Sequence, residues 1–197
     1  MKHFGGEMIQ KTGSAVLKTM LCMFVLLGAC ELWARPAQVM LIRHGEKPVD
    51  GDDLSDRGWD RAKALPQLMK RADLTRFGQP VGLFAMVPTA KRKSMRAIQT
   101  LQFLSQAIGV RTNTDFERDM VEPLATEILE NSIYDNKAVW VCWEHKVLVD
   151  IAKALGVDDP PDWPNDQFDR VWVITYDTGG HATLTDLPER LLPGDSN

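Results

Sequence analysis

The chain is poor in cysteine, in excess charge and in long apolar runs, and each shortage removes a class of protein. Three cysteines in 197 residues, Cys22, Cys30 and Cys142, make neither a disulfide framework nor a zinc-ligand spacing. Cys142, inside "VWVCW", reads as a core thiol. Net charge is −4, from 23 basic and 27 acidic residues, whereas a general nucleic-acid binder is basic over its whole domain. Affinity for anions must therefore be local. No apolar run is long enough to read as a membrane span of about 20 residues. Internal repeats and low-complexity tracts are also missing. What remains, at 44% hydrophobic and 25% charged, is the composition of one soluble domain with a substantial core.

The first 34 residues stand apart. Lys2, Lys11 and Lys18 precede the short apolar centre "MLCMFVLLGA" of the stretch "AVLKTMLCMFVLLGAC". A positive flank before such a segment reads as an export signal. Its end, "LLGAC", resembles a bacterial lipobox, which makes Cys30 the lipidated residue and leaves 168 residues after removal of 29 from 197. A cut after Ala34 competes with this, although Leu32 is large for the third position before ordinary signal cleavage; an uncleaved anchor is the third reading. Residues 1–34 are thus expected to be the export segment, residues 35–197 the working domain, and the address periplasmic or outer-membrane-anchored.

Beyond residue 34, apolar runs alternate with helical stripes. "QVMLI" (38–42), "VGLFAMV" (81–87), "AVWVCW" (138–143) and "RVWVIT" (170–175) are nearly continuous, as suits strands buried on both faces. Between them, Ala62, Leu65, Leu68, Met69 and Ala72 fall at helical spacing, with Pro66 set to kink or split that helix. Ile98, Leu101, Leu104 and Ile108 make a second stripe, and Leu148, Ile151, Ala152 and Leu155 a third, closed by Gly156. Ser55 and Ser94 are the expected caps. This is the α/β pattern, with helices covering a mainly parallel sheet; "DTGG" after the last run predicts an antiparallel hairpin at its edge. The proline-rich stretch 157–167 reads as an ordered loop or a rim, and Trp163 within it as a residue at the edge of a site. Trp59, Trp140, Trp143 and Trp172 read as core, and His181 as a turn residue.

Three strand ends carry chemistry. The first ends in Arg43-His44, within "LIRHGEKP"; the second leads to Lys91, Arg92, Lys93 and Arg96; the third ends in Glu144-His145. Ligands of open α/β sheets bind at the carboxyl ends of strands, where all three sets fall. Arginine offers phosphate oxygens a fixed fork of donors, a helix N-terminus adds N–H groups, and histidine supplies a nucleophile. Lys91, Arg92 and Lys93 read equally well as a solvated turn.

"LIRHGE" resembles the signature of the histidine phosphatase (phosphoglycerate-mutase-like) superfamily. "LSDRGWDRAKAL", "SMRAIQTL", "WEHKVLVDIAKALG" and "FDRVWVITYD" resemble its later landmarks, in order, over residues 38–193. The resemblance implies a three-layer α/β/α domain and a phosphomonoester hydrolase that works through a phosphohistidine on His44, with neither metal nor cofactor. Arg43, Arg96 and His145 would complete the phosphate pocket, Gly45 would let backbone approach the phosphate, and Glu46 would orient an arginine or histidine. The general acid does not transfer: Lys146 stands where one branch has an aspartate, and Asp115, Glu117, Glu122, Glu127 and Glu144 are the carboxylates on offer. Glu122 and Glu144 are favoured, and the choice between them is open. A mutase, or a phosphate- or phosphoprotein-binding module on the same fold, is the alternative. The implied partner is a phosphorylated small molecule or phosphoprotein, with no nucleic acid and with membrane contact through the N-terminal lipid.

Overall fold

The computed structural model describes Met1 and residues 35–197. The export segment and Cys30 lie outside the described residues. Among the described residues the order is β1 (Gln38–Arg43), α1 (Asp56–Ala64), β2 (Gly82–Ala85), α2 (Arg96–Ile108), β3 (Thr112–Asn113), α3 (Val121–Glu130), β4 (Ala138–Trp143), α4 (His145–Ala154), β5 (Arg170–Tyr176) and β6 (Ala182–Pro188). No described helix is long and apolar enough to cross a membrane.

The strands form one sheet in the order β3-β2-β4-β1-β5-β6. β1, β2, β3 and β4 run parallel, while β5 lies antiparallel to β1 and pairs with β6 as the edge hairpin. Every residue of β1 and β4 is buried, on both faces of the pleat, so helices must cover both sides. α1 packs on α2 and α3 on α4. The apolar runs become β1, β2, β4 and β5, with β2 cut back to four residues. Edge strand β6 alternates partly buried and exposed residues along its first half, as its position requires.

The capping serines behave differently. Ser55 caps α1, its Oγ accepting from Gly58 N at 3.2 Å. Pro66 splits the first helical stripe: α1 ends at Ala64 and a 3₁₀ helix continues over Leu65–Lys70. Ser94, expected to cap α2, does not; Met95 holds that position and makes no side-chain cap bond. Helix α3 carries no expectation from the sequence. Its Pro123 lies in the first turn, where the missing N–H removes no intrahelical bond.

Gly45 and Gly58 let the chain after β1 lie directly on α1. A Cβ on Gly58 would sit 2.3 Å from Glu46 O, and one on Gly45 would meet Gly58 O at 3.0 Å. Glu46 then reaches the buried Arg61, which also binds Glu189 (2.7 Å) and Asp195 (2.8 Å). Arg61 thereby ties the C-terminal residues to the segment that follows His44. Glu189, fully enclosed, is pushed up to about 8 by burial against the pull of Arg61.

Trp140, Trp143 and Trp172 are core, as expected, and Trp59 is half-buried edge-on to Phe103. Trp163 corrects its expectation. It is buried against Trp172, 4.8 Å between ring centroids, and anchors the proline-rich loop to the sheet instead of rimming a site.

Candidate active site

Strand register places the first and third chemical pairs side by side. β1 and β4 are parallel neighbours with Arg43 opposite Trp143, so the next residues, His44 and Glu144, leave the sheet together. His44 N donates to Trp143 O at 3.1 Å. β2 lies on the far side of β4, and the chain beyond it carries Lys91, Arg92, Lys93 and Arg96 to the same end. A cavity of about 820 Å³ opens there, lined by Arg43, His44, Arg96, Glu144 and His145 among others.

Arg43 is buried under the Phe168 ring, its guanidinium carbon 3.6 Å from the ring centroid. Its Nη1 donates to the carbonyls of Asn165 (2.7 Å) and Gln167 (2.9 Å). Nε is buried with no partner, an unspent donor beside the cavity. Burial pulls Arg43 down to about 10, which leaves it cationic at neutral pH.

His44 is 4% exposed. Its Nδ1 lies 2.8 Å from Gly45 O, and a carbonyl only accepts, so Nδ1 carries the proton and Nε2 the lone pair. Burial pulls the ring down to about 4, opposed by the Gly45 bond and helped by the charges of Arg43 and Arg96. At neutral pH His44 is therefore an uncharged imidazole with a free Nε2, the state a nucleophile needs.

Arg96 opens α2. Its Nε donates to Asp53 O at 2.9 Å and its Nη2 to Gly51 O, which leaves Nη1 without a hydrogen bond among the described residues. Thr100, one turn on and buried, accepts from Gly45 N (2.8 Å) and donates to Arg96 O (2.7 Å). One hydroxyl thus locks the His44 turn to the first turn of α2. Gly45 is corrected accordingly: its N–H is spent on Thr100, and it makes room for α1, not for a phosphate.

His145 is the first residue of α4. Its Nε2 meets Asn165 Oδ1 at 2.8 Å, while Nδ1 is buried with no partner. Burial lowers its pKa, and the Asn165 bond opposes that shift. Neither α2 nor α4 has a side-chain cap, unlike α1. Two helix N-termini with orphan N–H groups therefore border the cavity, together with the unpartnered Ser94 Oγ.

The carboxylates divide. Glu144 lines the cavity but is ion-paired with Arg118; burial pushes its carboxyl up, and Arg118, helped by His145 and Lys146, outweighs this and holds it below the usual range. An ionised, paired Glu144 is a poor proton donor. Glu122 corrects the second expectation: it is exposed on α3 and faces a separate depression with Phe116 and Pro123. Glu117 does line the cavity, after β3, held there by a bridge between Val87 and its own backbone. Its carboxylate forms no ion pair among the described residues. Glu46 pairs with Arg57 and Arg61 and with neither histidine among the described residues.

Asn165, Thr100, Phe168 and Arg118 went unnoticed in the sequence. Only the proline cluster around Asn165 hinted at an ordered loop.

Fold and site together define an α/β domain with a basic cavity at its strand ends, lined by two histidines. The sequence matches no family model and no curated protein. Among solved structures, the protein histidine phosphatase SixA complexed with tungstate superposes at a TM-score of 0.53 and 15% identity, over 77% of this chain and 97% of that one. A putative phosphohistidine phosphatase SixA from Agrobacterium tumefaciens gives 0.52 and 16%, over 77% and 97%. Phosphoglycerate mutase from Plasmodium falciparum gives 0.53 and 14%, over 81% and 96%. The chain has the fold of these proteins.

Proposed function

We propose that the chain is a phosphomonoester hydrolase of the histidine phosphatase superfamily, working without a metal through a phosphohistidine on His44. The observation that carries this reading is the Nδ1 bond of His44 to Gly45 O, which leaves Nε2 unprotonated in a cationic cavity between two uncapped helix N-termini. The phosphoryl oxygens take the spare donors of Arg43 and Arg96, and the bound dianion draws a solvent proton onto His145 Nδ1, which then donates to it while Nε2–H stays with Asn165 Oδ1. His44 Nε2 then attacks phosphorus as the P–O bond to the leaving group breaks, and the departing oxygen takes a proton from Glu117. Water next attacks the phosphohistidine and gives its proton back to the Glu117 carboxylate. The P–N bond breaks, and His44 and the acid are restored. Arginine charge and helix N–H groups stabilise the negative charge that spreads over the equatorial oxygens. A phosphorylated protein is a second substrate class for this site, supported by the fold shared with proteins described as histidine phosphatases.

The test is acid-quenched turnover of a ³²P-labelled phosphomonoester. Wild type should trap an acid-labile, base-stable label, His44→Ala should trap none, and a chelator should leave the rate unchanged. A His44→Ala protein with near-normal turnover ends the reading.

A further inference from the structure

The cavity is far more basic than one phosphoryl group requires. Eight arginines and lysines line it against four carboxylates, in a chain whose net charge is −4. Arg43 and Arg96 serve the phosphoryl group in the reading above. Arg92 is paired with Asp119, and Arg118 with Asp119 and Glu144. That leaves Lys47, Lys91, Lys93 and Lys146, all exposed and none ion-paired among the described residues. They come from three separate places: the chain after β1, the β2–α2 connection and the first turn of α4. Against these four lysines the lining offers two carboxylates that form no ion pair among the described residues, Asp52 and Glu117, so an excess of positive charge remains to meet an anion. The volume, about 820 Å³, lies inside the range of roughly 300–1,000 Å³ for sites that take whole small molecules.

We infer that Lys47, Lys91, Lys93 and Lys146 form a second anion subsite, and that the substrate is a small molecule bearing a second phosphate, or a group of similar charge, besides the phosphoryl group attacked by His44. This rests on the hydrolase reading for the first group only. A solvated lysine face would favour a second charge only weakly, through water and counter-ions. The subsite is selective, because the second anion of one molecule arrives at high effective concentration once the first is bound.

The experiment is titration calorimetry on the intact protein with two probes that cannot turn over, propylphosphonate and propane-1,3-bisphosphonate. The bisphosphonate should bind about tenfold tighter or better, and its lead should shrink as salt rises from about 0.05 to about 0.5 M. In Lys91→Ala/Lys93→Ala the ratio of the two affinities should fall to about twofold or less. Equal affinities in wild type, or a ratio that survives both this variant and Lys47→Ala/Lys146→Ala, overturn the subsite. Tighter binding of an acidic phosphopeptide than of the bisphosphonate overturns the small-molecule assignment. Binding is read without turnover, so a missing phosphohistidine would sink the hydrolase reading and leave this measurement standing. A trapped phosphohistidine with no bisphosphonate preference would sink the subsite alone.

Discussion

His145 and Asn165 meet at 2.8 Å, Nε2 to Oδ1, across 20 residues of chain, while the carbonyl of the same Asn165 holds Arg43 Nη1 at 2.7 Å. One loop residue therefore aims two groups that line the cavity. The bond to Nε2 leaves His145 Nδ1 as the ring nitrogen with no partner.

Asn165→Ala should keep the fold and lower kcat/KM about 5- to 100-fold, the range of one lost hydrogen bond of roughly 1–3 kcal/mol. The Asn165 bond raises the pKa of His145, so its removal should move the His145 titration further down. Imidazole NMR reads this directly. An unchanged or higher value would show that Asn165 does not position the ring.

The His44 ring should titrate near 4 in the free protein, with Nδ1 protonated above that pH, and nitrogen-15 spectra report both. Its pKa is depressed from 6.5, so between these values the unfolded chain takes up a proton that the folded one refuses. Stability should fall as pH drops from about 6.5 to about 4, by roughly 3 kcal/mol from this one ring. Urea unfolding of His44→Gln should lose that part of the slope. Titration near 6.5 would show that burial does not hold the ring neutral.

Glu117→Gln should depress turnover of alkyl phosphates by about 10²–10⁴-fold and spare p-nitrophenyl phosphate, whose leaving group needs little protonation. Glu122→Gln should change neither, because Glu122 lies outside the cavity. Equal losses on both substrates for Glu117→Gln would assign the proton to another group.

Arg61→Ala strands the fully buried Glu189 without its cation and leaves Asp195 only the partly exposed Arg57. It should cost about 3–5 kcal/mol in denaturant unfolding. Arg57→Ala, whose side chain is 46% exposed, should cost under about 1 kcal/mol. Similar costs for the two would mean that the buried network does not hold the C-terminal residues.

We propose that residues 1–34 direct export and that Cys30 carries the lipid, on the strength of "LLGAC". Cys30→Ser should release the protein from membranes or block its processing. Intact-mass detection of residues 1–29 on the wild-type protein would end this proposal.

The strands and the pairing of the two histidine ends were legible in the sequence because both depend on local pattern. Continuous apolar runs such as "AVWVCW" fit only a doubly covered strand, and strand ends in a parallel sheet share one edge. The split at Pro66 and the cap at Ser55 follow from backbone chemistry within a few residues. The acid was another matter: five carboxylates follow the later strands, and nothing local separates Glu117 from Glu122. The turn between them puts Glu117 over the cavity and Glu122 on the far side of α3. Likewise Glu144 reads as a candidate acid until Arg118, 26 residues away, is seen to hold its charge. Thr100, Asn165 and the Arg61 network work through partners up to 134 positions distant. The sequence by itself determined which groups exist and at which strand ends they emerge, because those are short-range properties of the chain. Which carboxylate stays unpaired, which ring nitrogen keeps its lone pair and which charges remain to meet a ligand were decided only by the tertiary structure, since each depends on what packing brings within hydrogen-bonding reach.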